Sequence, residues 1–262
     1  MWIGFQFKIS VKMERRKFIQ RASLAAAVIA VPGTAYSIHK NENYMPVKTS
    51  FTRNPDLAAV PGTEDYVGTP QDEKGLFMNE ENIFWPSTWD VIKWKTSANP
   101  YKEEKQNNTE RLKVIRRKSM DDLSDNSITW LGHASYLIHL GGKRLLVDPV
   151  LTDPGLFLKR FSEVPFENSE FKNLDYILIS HNHRDHCDKG SIKLLARQNP
   201  EATWLCGLGL DKLLLSDWTG SKKMQAAGWY QEYQINDPEL EISYLPTRHW
   251  SRRGFSDTNA SL

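Results

Sequence analysis

The sequence predicts a mixed α/β domain, between the α+β and α/β classes, over residues 127–262. Three observations carry that expectation. Leu174-Asp175-Tyr176-Ile177-Leu178-Ile179 is an apolar, β-branched-rich run of strand length, as expected of a strand buried on both faces. It runs directly into Ser180-His181-Asn182-His183-Arg184-Asp185-His186-Cys187-Asp188, which packs three histidines and two carboxylates into nine positions. Open α/β sheets place their chemistry where a buried strand stops. Upstream, strand-like runs flank Gly141-Gly142, a hairpin signal.

In chain order, residues 128–131 read as a strand ending in the Gly132-His133 turn, and 136–140 as a second. The glycine pair turns the chain into a third strand, 144–147, which stops at Asp148-Pro149. These three antiparallel strands feed the first parallel-type strand at Leu174. The long connection 156–171 carries aromatics and could overhang a site. Asp188 can cap a helix over 191–198, with Ile192, Leu194, Leu195 and Ala196 as its apolar surface. Beyond it, 203–206 reads as a strand and 211–215 as a short helix. Two more strands are expected at 232–235 and 241–245, the second leading into Pro246-Thr247-Arg248-His249-Trp250.

The spacing within the cluster has a mechanical meaning. Residues two apart in extended chain point the same way, so His181 and His183 can hold one metal ion together. The turn that follows lets Asp185 and His186 face a second ion. Imidazole with carboxylate suits zinc, and also iron or manganese. Two such ions can activate a water and stabilise a leaving oxygen.

The 262 residues are 40% hydrophobic and 25% charged with a net charge of +2, ordinary for a globular protein of one or two domains. No nucleic-acid partner is expected: the basic run 111–118 is followed by Asp121, Asp122 and Asp125 and reads as a solvated loop. Cys187 and Cys206 imply no disulfide framework and lack metal-type spacing. Cys187 reads as a small buried residue, with tuning of the site as the alternative. Residues 1–37 read as a bacterial twin-arginine export signal, built on Arg15-Arg16-Lys17-Phe18-Ile19 and a short apolar run, with Met13 as a second candidate start. The signal predicts a periplasmic location; without it the chain would be cytoplasmic. Residues 38–126 are expected to form a linker and a tryptophan-containing extension, the stretch from 38 to about 76 reading as a linker or an irregular wrap. In it, Pro86 opens a helical stretch through Trp94, and Trp85, Trp89 and Ile92 could share one face. That face is expected to pack onto the main domain, with contact to a membrane surface as the alternative.

Trp130-Leu131-Gly132-His133-Ala134-Ser135, Asp148-Pro149, the 181–188 cluster and Arg248-His249-Trp250-Ser251-Arg252-Arg253 follow one another in a telling order. With them, residues 127–262 resemble the metallo-β-lactamase superfamily, and more closely its N-acylphosphatidylethanolamine-hydrolysing phospholipase D branch. The resemblance implies two zinc ions, other divalent metals being possible. His181, His183 and His249 would hold one ion, and Asp185 and His186 the other. Asp185 would also act as the catalytic residue that positions the attacking water. His133 and Asp148 would stand near the site without binding metal, a structural role in its turn being the alternative for His133. The implied substrate is a phospholipid, cleaved at a phosphodiester, or another small ester; relatives with this site also cleave lactones and amides.

The resemblance also implies an αββα sandwich of two similar halves. This chain is expected to hold only the N-terminal half plus its N-terminal extension, as a truncated or split product, since the bridging aspartate and last histidine ligand belong to the second half. Half a sandwich should leave a sheet face and an edge without partners. Two functional expectations follow: a metal-dependent hydrolase, or a non-catalytic remnant that binds at most one metal.

Overall fold

A computed structural model describes residues 49–79, 88–153, 159–160, 162–254 and 256–262. The export signal expected over 1–37, and Trp85 and Pro86 of the extension, lie outside the described residues. The described chain begins with a short antiparallel pair, β1 (Ser50–Thr52) and β2 (Thr69–Gln71), followed by helices α1 (Thr88–Thr96) and α2 (Lys102–Asn107).

A six-stranded sheet follows, its strands side by side in chain order: β3 (Ser127–Gly132), β4 (Ser135–Leu140), β5 (Lys143–Val147), β6 (Tyr176–Ile179), β7 (Thr203–Gly207) and β8 (Met224–Ala227). β3 to β5 are antiparallel and β5 to β8 parallel, as the alternation and the apolar run at 174–179 foretell. Gly141 and Gly142 both adopt positive φ, 56° and 74°, the left-handed region of a tight hairpin, which glycine enters without strain. β8 escapes the sequence reading: Met-Gln-Ala-Ala has no β-branched residue, and only pairing along β7 makes it a strand. Residues 211–215 form a π-helical turn that continues into α4 (Ser216–Thr219), closed by Gly220 at φ 63°. The last two strands shrink to β9 (Gln231–Glu232) and β10 (Ser243–Tyr244).

Helix α3 (Lys189–Gln198) crosses over one sheet face. The Asp188 carboxylate accepts from Ser191 N at 2.8 Å, Ser191 Oγ at 2.6 Å and Thr152 Oγ1 at 2.7 Å, so the predicted cap also ties the helix to the end of the β5 loop. Asp188→Ala should cost about 2 kcal/mol of stability, the lost cap adding to two hydroxyls left without an acceptor. Urea unfolding of the purified chain measures it; a change under about 0.5 kcal/mol would contradict this account.

Side chains alternate along β6, so Ile177 and Ile179 meet Ile192, Leu195 and Trp204 beneath α3, while Tyr176 and Leu178 face the opposite layer. That opposite layer corrects two expectations. The second sheet face is not bare: Leu57, Trp229, Tyr233, Leu240 and Ile242 cover Leu145, Val147, Leu178 and Leu205. The segment 49–79, read as a linker or an irregular wrap, is therefore a wrap and part of the domain. Gln231 holds it there, Nε2 donating to Asn54 O at 2.7 Å and Leu57 O at 3.0 Å while Oε1 accepts from Asn54 N at 2.8 Å. The cover stops short of β3, where Ile128 and Trp130 remain 68% and 48% exposed on an edge strand.

Two further corrections concern aromatics. Of the aromatics in the connection 156–171, Phe157 and Phe161 lie outside the described residues, while Phe166 and Phe171 do not overhang the site but are buried in the α3-side core. On α1, Trp89 and Ile92 of the expected face are 71% and 46% exposed, and Trp94 is 75% exposed, so these side chains do not pack onto the main domain.

Candidate metal centre

β5 and β6 are parallel neighbours, so the residues just past their carboxyl ends, Asp148 and Ser180, are brought side by side. The buried Asp148 carboxylate accepts from Ser180 N at 2.7 Å and from Ser180 Oγ at 2.7 Å, and meets His186 Nδ1 at 2.9 Å. This arrangement decides the protons. Ser180 Oγ has one hydrogen and gives it to Asp148, so it must accept from His181 Nδ1, 2.9 Å away. His181 therefore carries its proton on Nδ1 and turns a lone pair outward at Nε2. His186 is set the same way by Asp148, which an ionised carboxylate can only do as acceptor.

His181 Nε2 stands 2.8 Å from His183 Nδ1, and His249 Nε2 lies 3.2 Å from each of them. His249 arrives from the loop after β10. Arg253 holds that loop in place, its Nη1 donating to Asn182 O at 3.2 Å and Cys187 O at 2.6 Å with the guanidinium 4.7 Å from the Trp218 ring. Trp250 packs edge-on against His183, ring centroids 4.9 Å apart. Three imidazole nitrogens on a triangle of this size fit one ion: ligands at the usual zinc–nitrogen length in a tetrahedron stand about 3.3 Å apart. Three histidines leave a fourth position open, the arrangement of a catalytic zinc site.

A second group adjoins the first, the His181 and His186 rings being 4.3 Å apart. Here His133 Nε2 meets Asp185 Oδ2 at 3.0 Å, and His133, Asp185 and His186 offer ligand atoms within 4.8 Å of one another. The sequence reading placed His133 beside the site without a ligand role; the structure puts its ring nitrogen among the possible ligands. Gly132 at φ 106° and His133 at φ 47° make the turn that swings it over, pinned by Trp130 Nε1 donating to His133 O at 2.9 Å. Nothing in the local sequence separates a turn histidine from a ligand there. Arg253 and Ser180 stood in quoted motifs, but their roles arise only from the packing. Cys187 is buried, which pushes its thiol up to about 12, in keeping with a small buried residue.

The electrostatics favour neutral imidazoles in the first group. Burial, then the neighbouring histidines, drives His181 far below the ordinary imidazole value. Burial and His249 lower His183 to about 4, and burial with His186 lowers His249. Burial also opposes charge on His186, but the Asp148 hydrogen bond and carboxylate outweigh it and hold its value up. The lowered groups have a consequence for the metal-free protein. Below the ordinary value of 6.5 the unfolded chain takes up protons that the folded chain refuses until about 4. Stability should therefore fall as pH drops through that window, His186 working the other way. Urea midpoints with a chelator present measure this; a midpoint that rises on acidification would refute it.

Residues 127–260 match the family model described as Beta-lactamase superfamily domain. The chain is 33% identical over 161 residues to N-acyl-phosphatidylethanolamine-hydrolyzing phospholipase D 1 of Caenorhabditis elegans, covering 56% of this chain and 45% of that protein. It is 32% identical over 140 residues to the mitochondrial N-acyl-phosphatidylethanolamine-hydrolyzing phospholipase D of Saccharomyces cerevisiae, covering 51% of this chain and 29% of that protein. A metal-dependent hydrolase of Aeropyrum pernix is 36% identical over 135 residues, 47% of this chain and 52% of that one. The chain thus spans about half or less of the length of these relatives.

Proposed function

Because the chain belongs to the metallo-β-lactamase superfamily, we propose that it acts as a metal-dependent hydrolase, with zinc as its metal and a phosphodiester of an N-acylphosphatidylethanolamine-type phospholipid as its target. The observation that carries the hydrolase reading is the convergence of His181 Nε2, His183 Nδ1 and His249 Nε2 within 3.2 Å. These three would hold the first ion. Asp185 and His186 would hold the second, with His133 within reach of it. Ions bound there would supply Lewis acidity toward water and toward a phosphoryl oxygen. The residues do the rest. Asp148 keeps the lone pairs of His181 and His186 turned toward the centre. Asp185, half exposed beside His133, would orient an attacking water and take its proton. Phe77, Trp229, Leu245 and Trp250 line a small cleft beside His181 and His249.

The lipid target rests on similarity to the worm and yeast phospholipases alone. Its test is metal analysis of the purified chain, followed by hydrolysis assays with an N-acylphosphatidylethanolamine and with a simple aryl phosphodiester. Bound zinc and release of the N-acylethanolamine support the reading. Turnover confined to lactones or amides would overturn the substrate class. A single bound ion with no turnover of any ester would leave a metal-binding, non-catalytic protein.

A further inference from the structure

Helices α1 and α2 present their described side chains to solvent. Every described side chain from Trp89 to Lys113 is exposed. Among them Trp89, Trp94 and Tyr101 are 71%, 75% and 61% exposed, and Leu112 and Ile115 continue the series at 73% and 67%. So many large apolar groups in one exposed segment call for a partner. The charge says which kind. Residues 88–118 hold nine lysines and arginines against four acids, a net +5 in a chain whose whole balance is +2. Six of the nine are lysines, and none of these six forms an ion pair among the described residues, whereas Arg116 is occupied by Glu163 and Glu167.

Protein interfaces are enriched in aromatics and arginine but depleted of lysine. Tryptophan and tyrosine interleaved with lysine are instead the composition of a surface that lies at the headgroup level of a bilayer, where indoles sit at the boundary and lysines snorkel to phosphates. Asp90, Lys93 and Lys95 flank Trp89 and Trp94 within α1 itself. The segment then runs into an apolar groove formed by Leu112, Ile115, Ile128 and Trp130, rimmed by Lys113 and Arg117. Trp130 in turn touches the His133 turn of the second metal group. Among the described residues no helix is long and apolar enough to cross a membrane.

We infer that residues 88–118 are a docking surface for an anionic lipid bilayer, seating the metal centre's mouth near the headgroups. The inference does not depend on the hydrolase reading, because binding is read without turnover. The test is sedimentation of the full chain with vesicles of phosphatidylcholine alone or of phosphatidylcholine mixed with phosphatidylglycerol, together with tryptophan fluorescence. Binding to the mixed vesicles is expected, with a blue-shifted emission and a steep loss as salt is raised. Lys93→Glu with Lys95→Glu should lower that binding by on the order of tenfold or more. Trp89→Ala with Trp94→Ala should abolish the blue shift; all four positions are exposed, so an unchanged far-UV circular dichroism spectrum serves as the check that the fold is intact. Binding that is equal on both vesicles, or absent from both, overturns the inference. A concentration-dependent dimer abolished by the tryptophan variant also overturns it, by assigning the surface to a second copy of the chain.

Discussion

His183→Ala should empty the first metal position and lower hydrolase activity by on the order of a thousandfold or more, about 4 kcal/mol of barrier. The expectation follows from geometry. His183 Nδ1 is one corner of the nitrogen triangle, 2.8 Å from His181 and 3.2 Å from His249. With that corner gone, two imidazoles remain, and two neutral donors do not hold a divalent ion at the concentrations free in solution. Loss should be selective, since Asp185, His186 and His133 form a separate group around the Asp148 side. The variant should therefore lose its first ion without unfolding. Elemental analysis beside circular dichroism makes the comparison; unchanged metal content would remove His183 from the site.

Asp148→Asn should reduce metal affinity by about ten- to a hundredfold although Asp148 binds no metal in this account. The exchange keeps the size of the side chain and alters its hydrogens. Oδ2 of Asp148 accepts from Ser180 Oγ at 2.7 Å and from His186 Nδ1 at 2.9 Å. An amide NH2 in that position would face two donors. His186 would be driven to the tautomer with its proton on Nε2, the atom it offers to the second group, and Ser180 would lose the acceptor that makes it hold His181. An amide turned the other way would confront Ser180 N instead, 2.7 Å from Oδ1. Either orientation leaves a buried donor without a partner, a stability cost of about 1–3 kcal/mol. The pH profile separates orientation from mere destabilisation: the carboxylate holds the His186 value up, so the variant should lower it and shift the acid limb of metal binding downward. Isothermal titration with zinc at several pH values reads both quantities. Wild-type affinity with an unmoved acid limb would refute the orienting role.

Much of this protein is legible before any folding is considered. The buried strand at 176–179, the helix cap at Asp188, the glycine hairpin and the pairing of His181 with His183 are each encoded within a few neighbouring residues. What local sequence could not reveal involves partners far apart. β8 is a strand because β7 offers it a ladder. The 49–79 segment is domain rather than linker because Gln231, 177 residues from Asn54, binds it. Helix α1 has aromatics that a sequence reading sends to the core, yet nothing in the sheet reaches them.

The sequence by itself determined the sheet's parallel heart and the loop that carries His181, His183, Asp185 and His186, because strand periodicity, turn chemistry and two-residue spacing act over one or two peptide units. Only the tertiary structure decided that His249, 68 residues from His181, closes the triangle, that His133 joins Asp185, and that one buried carboxylate orients two rings. Those facts depend on which strands lie side by side and on where their ends bring distant loops, and the register of a sheet is set by the packing of both its faces.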